Sequence, residues 1–471
     1  MLNNNSIPDI VNKIHLIAIC GTGMGALAGM LKDKGFTITG SDKNIYPPMS
    51  TFLQEKGINI FNGFSSSNLD HNPDLIIVGN AVSKDNPEVK TFLEKKIPFC
   101  SMPQAIQHFF GKTQNLVLIT GTHGKTTTSS LISWILYNSK LEPGFFIGGI
   151  LKNFSRNYNI GSGNFFVVEG DEYDTAFFDK NPKFLHYLPD QTVITSIEFD
   201  HADIYKDISQ IINSFERLLN NLKQDSFLIA NISDPIIKKL INNKKCNIET
   251  YGTDDSIWKI TKKIIEPPWT KFELYYKNEL FDTYKTPLMG NHNLLNTVSA
   301  IAVLNNLKID KKNINEGLKN FKGVKRRQEV YGVVNGITVM DDFAHHPTAV
   351  RETIKAIRPF YNGKIFAVFE PRTNSSRRNV FQNIYPDSFN DADIICTIKP
   401  PLLEKIPENE RFSSQQLTID LKKKNKDAYY FETSQEIINF VKKNASKEDI
   451  ILVMSNGGFD NICQRLIDDL K

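Results

Sequence analysis

Short, fully apolar runs recur along this chain, separated by stretches in which apolar residues return every three or four positions. Apolar runs of about four to eight residues bounded by turns are typical of buried strands, and the longer rhythm is typical of amphipathic helices. Strands that alternate with helices form mostly parallel, doubly wound sheets, so the pattern predicts an α/β protein. The predicted strands are 14–19, 36–40, 75–78, 98–100, 116–119, 165–168, 193–197, 337–340, 364–369, 393–396 and 450–454.

These elements fall into three blocks, and 471 residues are too many for one ordinary core. Polar residues before the strand at 116–119 mark the first boundary, and a basic segment near residue 325 marks the second. The stretch 250–287 alternates apolar and polar residues, which predicts β-hairpins in the middle block. We therefore place the domains at residues 1–112, 113–323 and 324–471.

The composition is that of a globular protein, with 40% hydrophobic and 23% charged residues. The net charge is only +4 and the lysines are dispersed, so we expect no nucleic-acid partner. The five cysteines have neither metal-ligand nor redox spacing, which favours a reducing compartment. The polar start and the lack of a long apolar run predict a soluble, cytoplasmic protein that does not enter membranes.

A glycine-rich loop follows the strand at 116–119 and opens a helix-like stretch. Backbone N–H groups and a helix N-terminus favour phosphate, lysine meets the outer phosphates, and a threonine hydroxyl meets Mg²⁺. Two residues, rather than the usual four, separate the first glycine from the Gly-Lys-Thr sequence. We expect this loop to bind a nucleotide triphosphate through Gly121, Thr122, His123, Gly124, Lys125, Thr126 and Thr127.

A second glycine loop follows the first predicted strand, with Gly21 and Gly23 spaced as in a dinucleotide-binding turn. Asp42 ends the next strand, where a ribose-binding acid would lie. The pattern indicates a nucleotide or diphosphate ligand, and a tight structural turn is the alternative. A diphosphate-linked sugar nucleotide fits the loop as well as NAD does.

Polar side chains follow two strands of the middle block. Glu169 comes directly after the strand at 165–168, and His201 follows the strand at 193–197. Side chains at the carboxyl ends of parallel strands are well placed to hold Mg²⁺. Between them, the acids at 171, 172 and 174 are equally consistent with a solvated loop.

Polar clusters in the last two blocks are further candidates. His292, Asn293 and Asn296 open a helix and can either read a flat base or cap the helix. Arg326 lies in a basic segment and can clamp a phosphate. The segment 341–347 carries two acids and two histidines, which would also be compatible with a hydrolytic metal site.

Taken together, the loop at 120–127, the helix start at 291–296 and the segment 342–347 resemble the Mur ligase family, which builds the peptidoglycan precursor with ATP. The resemblance covers essentially the whole chain. It implies a Rossmann-like first domain, a P-loop-type central ATPase domain and a Rossmann-like third domain. The stretches 40–50, 172–180, 370–374 and 452–459 are similar to the branch that joins L-Ala-γ-D-Glu-meso-diaminopimelate to UDP-N-acetylmuramate in peptidoglycan recycling. The alternative branch adds L-alanine to the same sugar nucleotide.

The resemblance also implies roles for individual residues, with ATP and Mg²⁺ as the cofactors. The catalytic residues would be Lys125, Glu169, His201 and His346, and the metal ligands Thr126, Glu169 and His201. ATP would also contact His292, Asn293, Asn296, Arg326, Asp342 and His345. The sugar nucleotide would contact His15, Gly21, Thr22, Gly23, Met24, Asp42 and Asn80. The peptide would contact Arg372, Asn374 and Asn456.

Two departures from the family pattern concern the peptide and a lysine. Residues 375–378 differ from the run expected after Asn374, and residues 215–217 offer no lysine, so we predict no carbamate. A site drawn from three blocks implies closure on binding, by a monomer or weak homodimer. An NAD-dependent oxidoreductase would leave the lysine loop without a role, and a non-catalytic nucleotide switch would not need Glu169 and His201.

Overall fold

The structure, a computed structural model, describes residues 4–471 and divides them into two compact units. The first unit contains residues 4–197, 211–256 and 299–317. The second contains residues 198–210, 257–298 and 318–471. Each unit therefore draws on segments that lie far apart in the sequence.

Strands and helices alternate through most of the chain, as the apolar pattern predicts. Up to residue 138 the elements are β1 (Lys13–Ile17), α1 (Thr22–Asp33), β2 (Thr37–Asp42), α2 (Met49–Glu55), β3 (Asn59–Asn62), β4 (Leu75–Val78), α3 (Pro87–Glu94), β5 (Phe99–Ser101), α4 (Met102–Ile106), β6 (Asn115–Thr120) and α5 (Lys125–Asn138). Those up to residue 319 are β7 (Gly144–Leu151), β8 (Arg156–Asn159), β9 (Phe165–Gly170), β10 (Asp174–Ala176), β11 (Asp179–Pro182), β12 (Gln191–Ile194), α6 (Ile208–Asn221), β13 (Phe227–Asn231), α7 (Pro235–Leu240), β14 (Asn247–Tyr251), β15 (Trp258–Glu266), β16 (Trp269–Tyr276), β17 (Glu279–Thr286), α8 (Asn291–Asn306) and α9 (Lys311–Lys319). The remaining elements are β18 (Glu329–Val334), β19 (Ile337–Asp342), α10 (Pro347–Ile357), β20 (Ile365–Phe369), α11 (Tyr385–Ser388), β21 (Ile394–Ile398), α12 (Ser414–Lys423), β22 (Asp427–Phe431), α13 (Ser434–Asn444), β23 (Ile450–Met454) and α14 (Ile462–Asp469).

The first unit begins with a five-stranded parallel sheet of order β3-β2-β1-β4-β5. In this doubly wound order the sequence leaves β1 in one direction through β2 and β3, and in the other through β4 and β5. Ligands bind at such a switch point, outside the carboxyl ends of the central strands. The glycine loop that follows β1 therefore lies where a ligand is expected.

The same unit contains seven further strands in the order β14-β13-β12-β6-β9-β7-β8. Every neighbouring pair is parallel except β7 and β8. Thr120 at the end of β6 pairs with Gly170 of β9 on one side and with Ile194 of β12 on the other. The three strands thus end at one edge of the sheet.

The second unit holds the antiparallel strands β15, β16 and β17 and a six-stranded sheet of order β18-β19-β23-β20-β21-β22. In the six-stranded sheet only β18 runs antiparallel to its neighbour. Leu452 and Val453 of β23 belong to apolar clusters on opposite faces of this sheet. Both faces are covered, which explains why the strand is apolar without alternation.

Strand β12 ends three residues earlier than the apolar pattern predicts. After Ile194 the chain leaves the sheet, because Ser196 O accepts from Thr122 N at 2.9 Å and Ile197 N donates to Asp234 Oδ2 at 2.7 Å. The predicted strand residues 195–197 therefore belong to a loop. This loop supports the lysine-bearing turn described below.

Within residues 4–471, no helix combines the length and the apolar character needed to span a bilayer.

Replacing Leu452 by alanine is expected to lower the free energy of unfolding by about 2–5 kcal/mol, because a fully buried leucine leaves a cavity behind. Differential scanning calorimetry would show this as a lower transition midpoint. The matched control is Leu280→Ala, at a side chain that is 55% exposed, which should shift the midpoint little. Equal shifts for the two variants would contradict the assignment of β23 to the core.

Candidate active site

The lysine loop connects β6 to α5 and is held by the loop that follows β12. Gly121 has φ = +126°, and a Cβ there would lie 2.2 Å from Thr195 Oγ1, so only glycine fits. The backbone N–H of Thr122 donates to Ser196 O at 2.9 Å, and that of His123 donates to Ser196 Oγ at 3.0 Å. The predicted sequence of strand, loop and helix is therefore present.

Helix α5 begins at Lys125, directly after Gly124, whose φ is +83°. The buried ammonium group of Lys125 donates to Gly121 O at 2.7 Å and to Glu172 Oε2 at 2.8 Å. Burial alone would lower the pKa of Lys125, but the carboxylates of Glu172 and Asp171 outweigh it and raise the pKa. The lysine is thus charged and already paired with an acid.

Glu169, at the end of β9, faces the first turn of α5. Its Oε2 accepts from Thr126 Oγ1 at 3.3 Å, and its Oε1 accepts from Ser129 Oγ at 3.3 Å and from Gly148 N at 2.9 Å. A carboxylate beside a hydroxyl supplies the hard oxygen ligands that Mg²⁺ prefers. Two of the three predicted metal ligands therefore lie together and fit a divalent cation.

A cavity of about 550 Å³ in the first unit extends from the first glycine loop to the end of β9. Its wall includes Glu169 from the carboxyl end of β9. It also includes six residues predicted to contact the sugar nucleotide: Gly21, Thr22, Gly23, Met24, Asp42 and Asn80. One ligand can thus extend from the first glycine loop to the carboxylate beside the lysine loop.

Asp42 is the last residue of β2 and organises the first glycine loop. Its Oδ2 accepts from Cys20 N and its Oδ1 from Asn44 N, both at 2.9 Å. Burial, with a smaller contribution from Asp42, raises the pKa of the Cys20 thiol to about 11. Cys20 therefore lines the cavity as a neutral thiol.

His15, which the family pattern assigns to the sugar nucleotide, is fully buried in β1 and is not among the cavity-lining residues. Its Nδ1 lies 2.8 Å from Thr39 Oγ1 and its Nε2 lies 3.5 Å from Glu88 Oε2. Glu88 also accepts from Ser41 Oγ and Asn68 Nδ2, each at 2.6 Å. His15 therefore belongs to a buried polar network that supports the sheet behind the cavity.

In the second unit, Asp342 at the end of β19 is nearly buried. Its Oδ2 accepts from Gln328 N at 2.7 Å, and its Oδ1 accepts from Ala344 N at 2.8 Å. Burial is the largest influence and raises the pKa of Asp342. The carboxylate thus ties the turn after β19 to the segment that precedes β18.

Arg326 lies next to this turn, in the left-handed region at φ = +60°. Its Nε donates to Asp341 Oδ2 at 3.1 Å, and the guanidinium lies 5.4 Å from the centre of the Phe343 ring. An arginine held by an ion pair and a ring is pre-oriented for an anion.

Three histidines and one acid come together in the second unit. Asp200 Oδ1 accepts from His201 N at 2.7 Å, and His346 Nε2 lies 3.1 Å from Phe199 O. Burial raises the pKa of Asp200, but the charges of His201, His345 and His346 outweigh it and hold the pKa well below its usual range. Sequence reasoning missed Asp200, although it directly precedes His201.

The start of α8 is tied into the same unit. Asn293 Nδ2 donates to Met289 O at 2.9 Å and to Gln328 Oε1 at 3.1 Å, and Asn296 Nδ2 donates to Asn293 Oδ1 at 3.3 Å. Both amides are buried, whereas His292 is partly exposed. Asn293 thus links this helix to the turn that precedes β18.

Two of the residues predicted to bind the peptide lie close together beyond β20 and β23. Arg372 donates to Glu370 Oε1 at 3.3 Å, and its side chain occupies the space that a Cβ on Gly457 would need. Asn456 Oδ1 is buried and has no hydrogen-bond partner within the described part of the chain. An acceptor of this kind is suited to a ligand N–H.

Asn374, the third predicted peptide residue, is held by two contacts. Its Oδ1 accepts from Arg377 Nη2 at 2.7 Å, and its Nδ2 donates to Asp203 Oδ2 at 2.8 Å. Arg377 is itself buried and donates to Leu402 O at 3.0 Å. The unusual run at 375–378 therefore contributes a buried arginine that positions Asn374.

Comparison with known proteins identifies the family. Three family models match consecutive parts of the chain: the catalytic domain of the Mur ligase family over residues 13–113, the Mur ligase middle domain over 119–304, and the glutamate ligase domain of Mur ligases over 326–457.

The chain belongs to the Mur ligase family.

Relatives and solved structures extend this similarity over nearly the whole chain. UDP-N-acetylmuramate–L-alanyl-γ-D-glutamyl-meso-2,6-diaminoheptandioate ligase of Escherichia coli K12 is 36% identical, covering 97% of this chain and 98% of that protein. UDP-N-acetylmuramate–L-alanine ligase of Clostridium acetobutylicum is 33% identical, covering 95% and 96%. The crystal structure of a murein peptide ligase from Psychrobacter arcticus 273-4 matches with a TM-score of 0.70 and 30% identity, covering 98% of each chain. The predicted α/β fold with three Mur ligase domains is confirmed.

Within the Mur ligase fold, the structure brings some predicted residues together more closely than others. The first unit joins the lysine loop, Thr126, Glu169 and the sugar-nucleotide residues other than His15. The second unit joins His201 with His345 and His346 through Asp200. The sequence left Glu172 open between a functional acid and a solvated one; in the structure it is the counter-ion of Lys125 and is 2% exposed.

Replacing Glu88 by glutamine is expected to lower the thermal stability of this Mur ligase at pH 7, by an amount that shrinks as the pH falls. Burial raises the pKa of Glu88, but hydrogen bonds from His15, Ser41 and Asn68 together hold it below 4.5. The stabilisation is therefore present above the unfolded-state pKa and is lost as the pH falls through the folded-state value.

Melting curves of both proteins from pH 7 to pH 3 would measure this difference. Glu94→Gln, at an exposed position on the same helix, is the control and should leave the midpoint unchanged at every pH. A Glu88→Gln deficit that stays constant down to pH 3 would speak against an ionised Glu88.

Proposed function

We propose that this chain is an ATP-dependent ligase that joins L-Ala-γ-D-Glu-meso-diaminopimelate to UDP-N-acetylmuramate, as part of peptidoglycan recycling. The observation that carries this proposal is the cavity whose wall runs from the first glycine loop to Glu169. A nucleotide diphosphate on that loop would extend its sugar acid towards the lysine loop. The Escherichia coli relative, at 36% identity, is named for this pair of substrates.

The reaction would proceed through an acyl phosphate. A carboxylate oxygen of the sugar acid attacks the γ-phosphorus of ATP, and the bond to the β-phosphate oxygen breaks, which releases ADP. The α-amine of the tripeptide then attacks the acyl carbon, loses a proton, and expels inorganic phosphate. Phosphoryl transfer of this kind requires positioning and charge neutralisation more than covalent help.

Lys125 would stabilise the γ-phosphoryl oxygens once its ammonium group leaves Glu172 and contacts the phosphate. Thr126 and Glu169, whose oxygens lie together, and His201 would hold Mg²⁺, which supplies positive charge to the phosphate oxygens. The remaining loop residues would donate N–H groups to the phosphates. They are Gly121, Thr122, His123, Gly124 and Thr127.

The second unit would supply the other substrate contacts. Residues proposed to contact ATP are His292, Asn293, Asn296, Arg326, Asp342 and His345, with His346 supporting catalysis. Residues proposed to contact the peptide are Arg372, Asn374 and Asn456. The buried, unpartnered Oδ1 of Asn456 supports this last assignment, because a peptide N–H would satisfy it.

We also propose three domains: residues 1–112 for the sugar nucleotide, 113–323 for ATP, and 324–471, which closes on ATP and the peptide. The cytoplasm is the proposed location, because the five cysteines are free thiols and a reducing compartment keeps them so. We propose that the enzyme acts as a monomer or weak homodimer.

The alternative function is UDP-N-acetylmuramate–L-alanine ligase. A relative of that name is 33% identical over 95% of the chain, a narrow difference from 36%. Both ligases would use the same sugar nucleotide and the same lysine loop. The amine substrate therefore decides between them.

Purified protein with ATP, Mg²⁺ and UDP-N-acetylmuramate is expected to convert the tripeptide, and not L-alanine, into a UDP-linked product. Mass spectrometry would identify the product, and phosphate release would require both the sugar nucleotide and the peptide. A product formed with L-alanine alone would favour the alternative ligase. Phosphate release that is unchanged when the sugar nucleotide and the peptide are left out would exclude a ligase.

Replacing Lys125 by alanine is expected to reduce kcat by more than about a hundredfold, because a charge contact to the transition state is lost. Lys140→Ala, at an exposed position just beyond the end of the same helix, is the control and should retain full activity. The assay is the phosphate release described above. Near-normal turnover by Lys125→Ala would overturn the assignment of the loop.

A further inference from the structure

Lys183 forms part of the cavity wall, and none of the roles above uses it. It follows the short hairpin of β10 and β11 and is only 7% exposed. Its Nζ lies 3.0 Å from Asp171 Oδ2 and 4.0 Å from the centre of the Tyr173 ring. An ion pair and an aromatic face thus hold the ammonium group in place.

The hydrogen bonding of this buried ammonium group is incomplete. An ammonium group has three N–H donors, and burial makes an unused donor costly. Within residues 4–471, Asp171 is the only hydrogen-bond acceptor of Lys183 Nζ. Two donors therefore remain for a molecule that enters the cavity.

The charges around the cavity leave Lys183 as the position in the described wall that can attract an anionic group. Asp42, Glu169 and Asp171 place three carboxylates in the wall. Among the described residues that line the cavity, Lys183 alone has a cationic side chain. An anion that enters this end of the cavity would meet its attractive charge at Lys183.

The position of Lys183 identifies which part of an anionic ligand it would meet. Glu169 lies in β9, Asp171 directly follows the last residue of that strand, and both line the cavity. Lys183 is paired with Asp171, so it belongs to the metal-binding end of the cavity. The diphosphate of a sugar nucleotide would lie instead at the opposite end, on the loop that starts at Gly21.

We propose that Lys183 binds the carboxylate of the sugar acid and positions it for phosphorylation. This inference rests on the proposed function, since it assigns a subsite within the same cavity. Two N–H donors of the ammonium group would contact the carboxylate while Asp171 and Tyr173 hold the lysine. Lys183 is therefore a specificity-determining residue that distinguishes an acidic sugar nucleotide from a neutral one.

The test compares two ligands that differ only in the acid. UDP-N-acetylmuramate carries a lactyl carboxylate that UDP-N-acetylglucosamine lacks. Isothermal titration calorimetry with Mg²⁺ and no ATP would give both affinities for the wild-type protein and for Lys183→Met. Lys183→Met is expected to weaken binding of the acidic ligand by about tenfold to a hundredfold, as for lost hydrogen bonds to a charged group, and to change the other affinity less than about twofold.

The matched control is Lys180→Met, in the same hairpin. Lys180 forms an exposed ion pair with Asp174 at 2.7 Å and is not a cavity-lining residue. Lys180→Met should leave both affinities unchanged. If circular dichroism shows that Lys183→Met does not fold, Lys183→Gln, which retains a polar head group, takes its place with the same expected results.

The remaining outcomes would overturn the proposal. An equal loss for both ligands would assign Lys183 to the shared nucleotide or to the cavity wall itself, and no loss for either would remove it from the site. If wild type and Lys183→Met both prefer the acidic ligand to the same degree, the proposed role of Lys183 is refuted and the proposed function is not. Wild-type protein that binds neither ligand would refute the proposed function as well.

Discussion

The parallel pairing of β6 with β9 and β12 is the constraint on which the site in the first unit depends. Because Thr120 pairs with both Gly170 and Ile194, three strands deliver their following loops to one edge of the sheet. The loop after β6 carries the lysine, β9 carries Glu169 next to its last residue, and the loop after β12 holds the lysine loop by hydrogen bonds. A shift of one residue in either pairing would turn these side chains to the other face. The geometry of the site is therefore a property of buried apolar strands that never contact a ligand.

Several carboxylates lie at this edge of the sheet, and such groups are costly to bury unless a positive charge compensates them. Two ion pairs compensate them: Lys125 with Glu172, and Lys183 with Asp171. Burial raises the pKa of Asp171, yet Lys183 and Lys125 outweigh it and lower the pKa to about 2. Asp171 is therefore ionised beside the cavity, where a charge attracts a cation more strongly than it does in bulk water. The proposed metal and substrate sites would therefore draw on the same set of charges.

The features of the fold and the site that could be predicted are those whose sequence signal lies within one short segment. Strands β4 and β23 were predicted to the residue, because each is an apolar run with polar ends. The end of β12 was placed wrongly, because residues 195–197 are apolar enough for a strand but turn aside to hydrogen-bond to the lysine loop. The loop itself was predicted, since its glycines and lysine are adjacent in sequence. Lys183 and Asp200 were missed because their partners are known only from the fold, and apolar periodicity does not reveal that His15 faces a buried network.

The pairing of Lys125 with Glu172 has a consequence for ligand choice. A tethered carboxylate competes for the lysine at a high effective concentration, so an incoming molecule has to offer the ammonium group a stronger partner. Clustered phosphate oxygens with several negative charges do so, whereas a monophosphate or a neutral hydroxyl gains little by displacing a glutamate. The ion pair thus favours a ligand with several clustered negative charges over one with few.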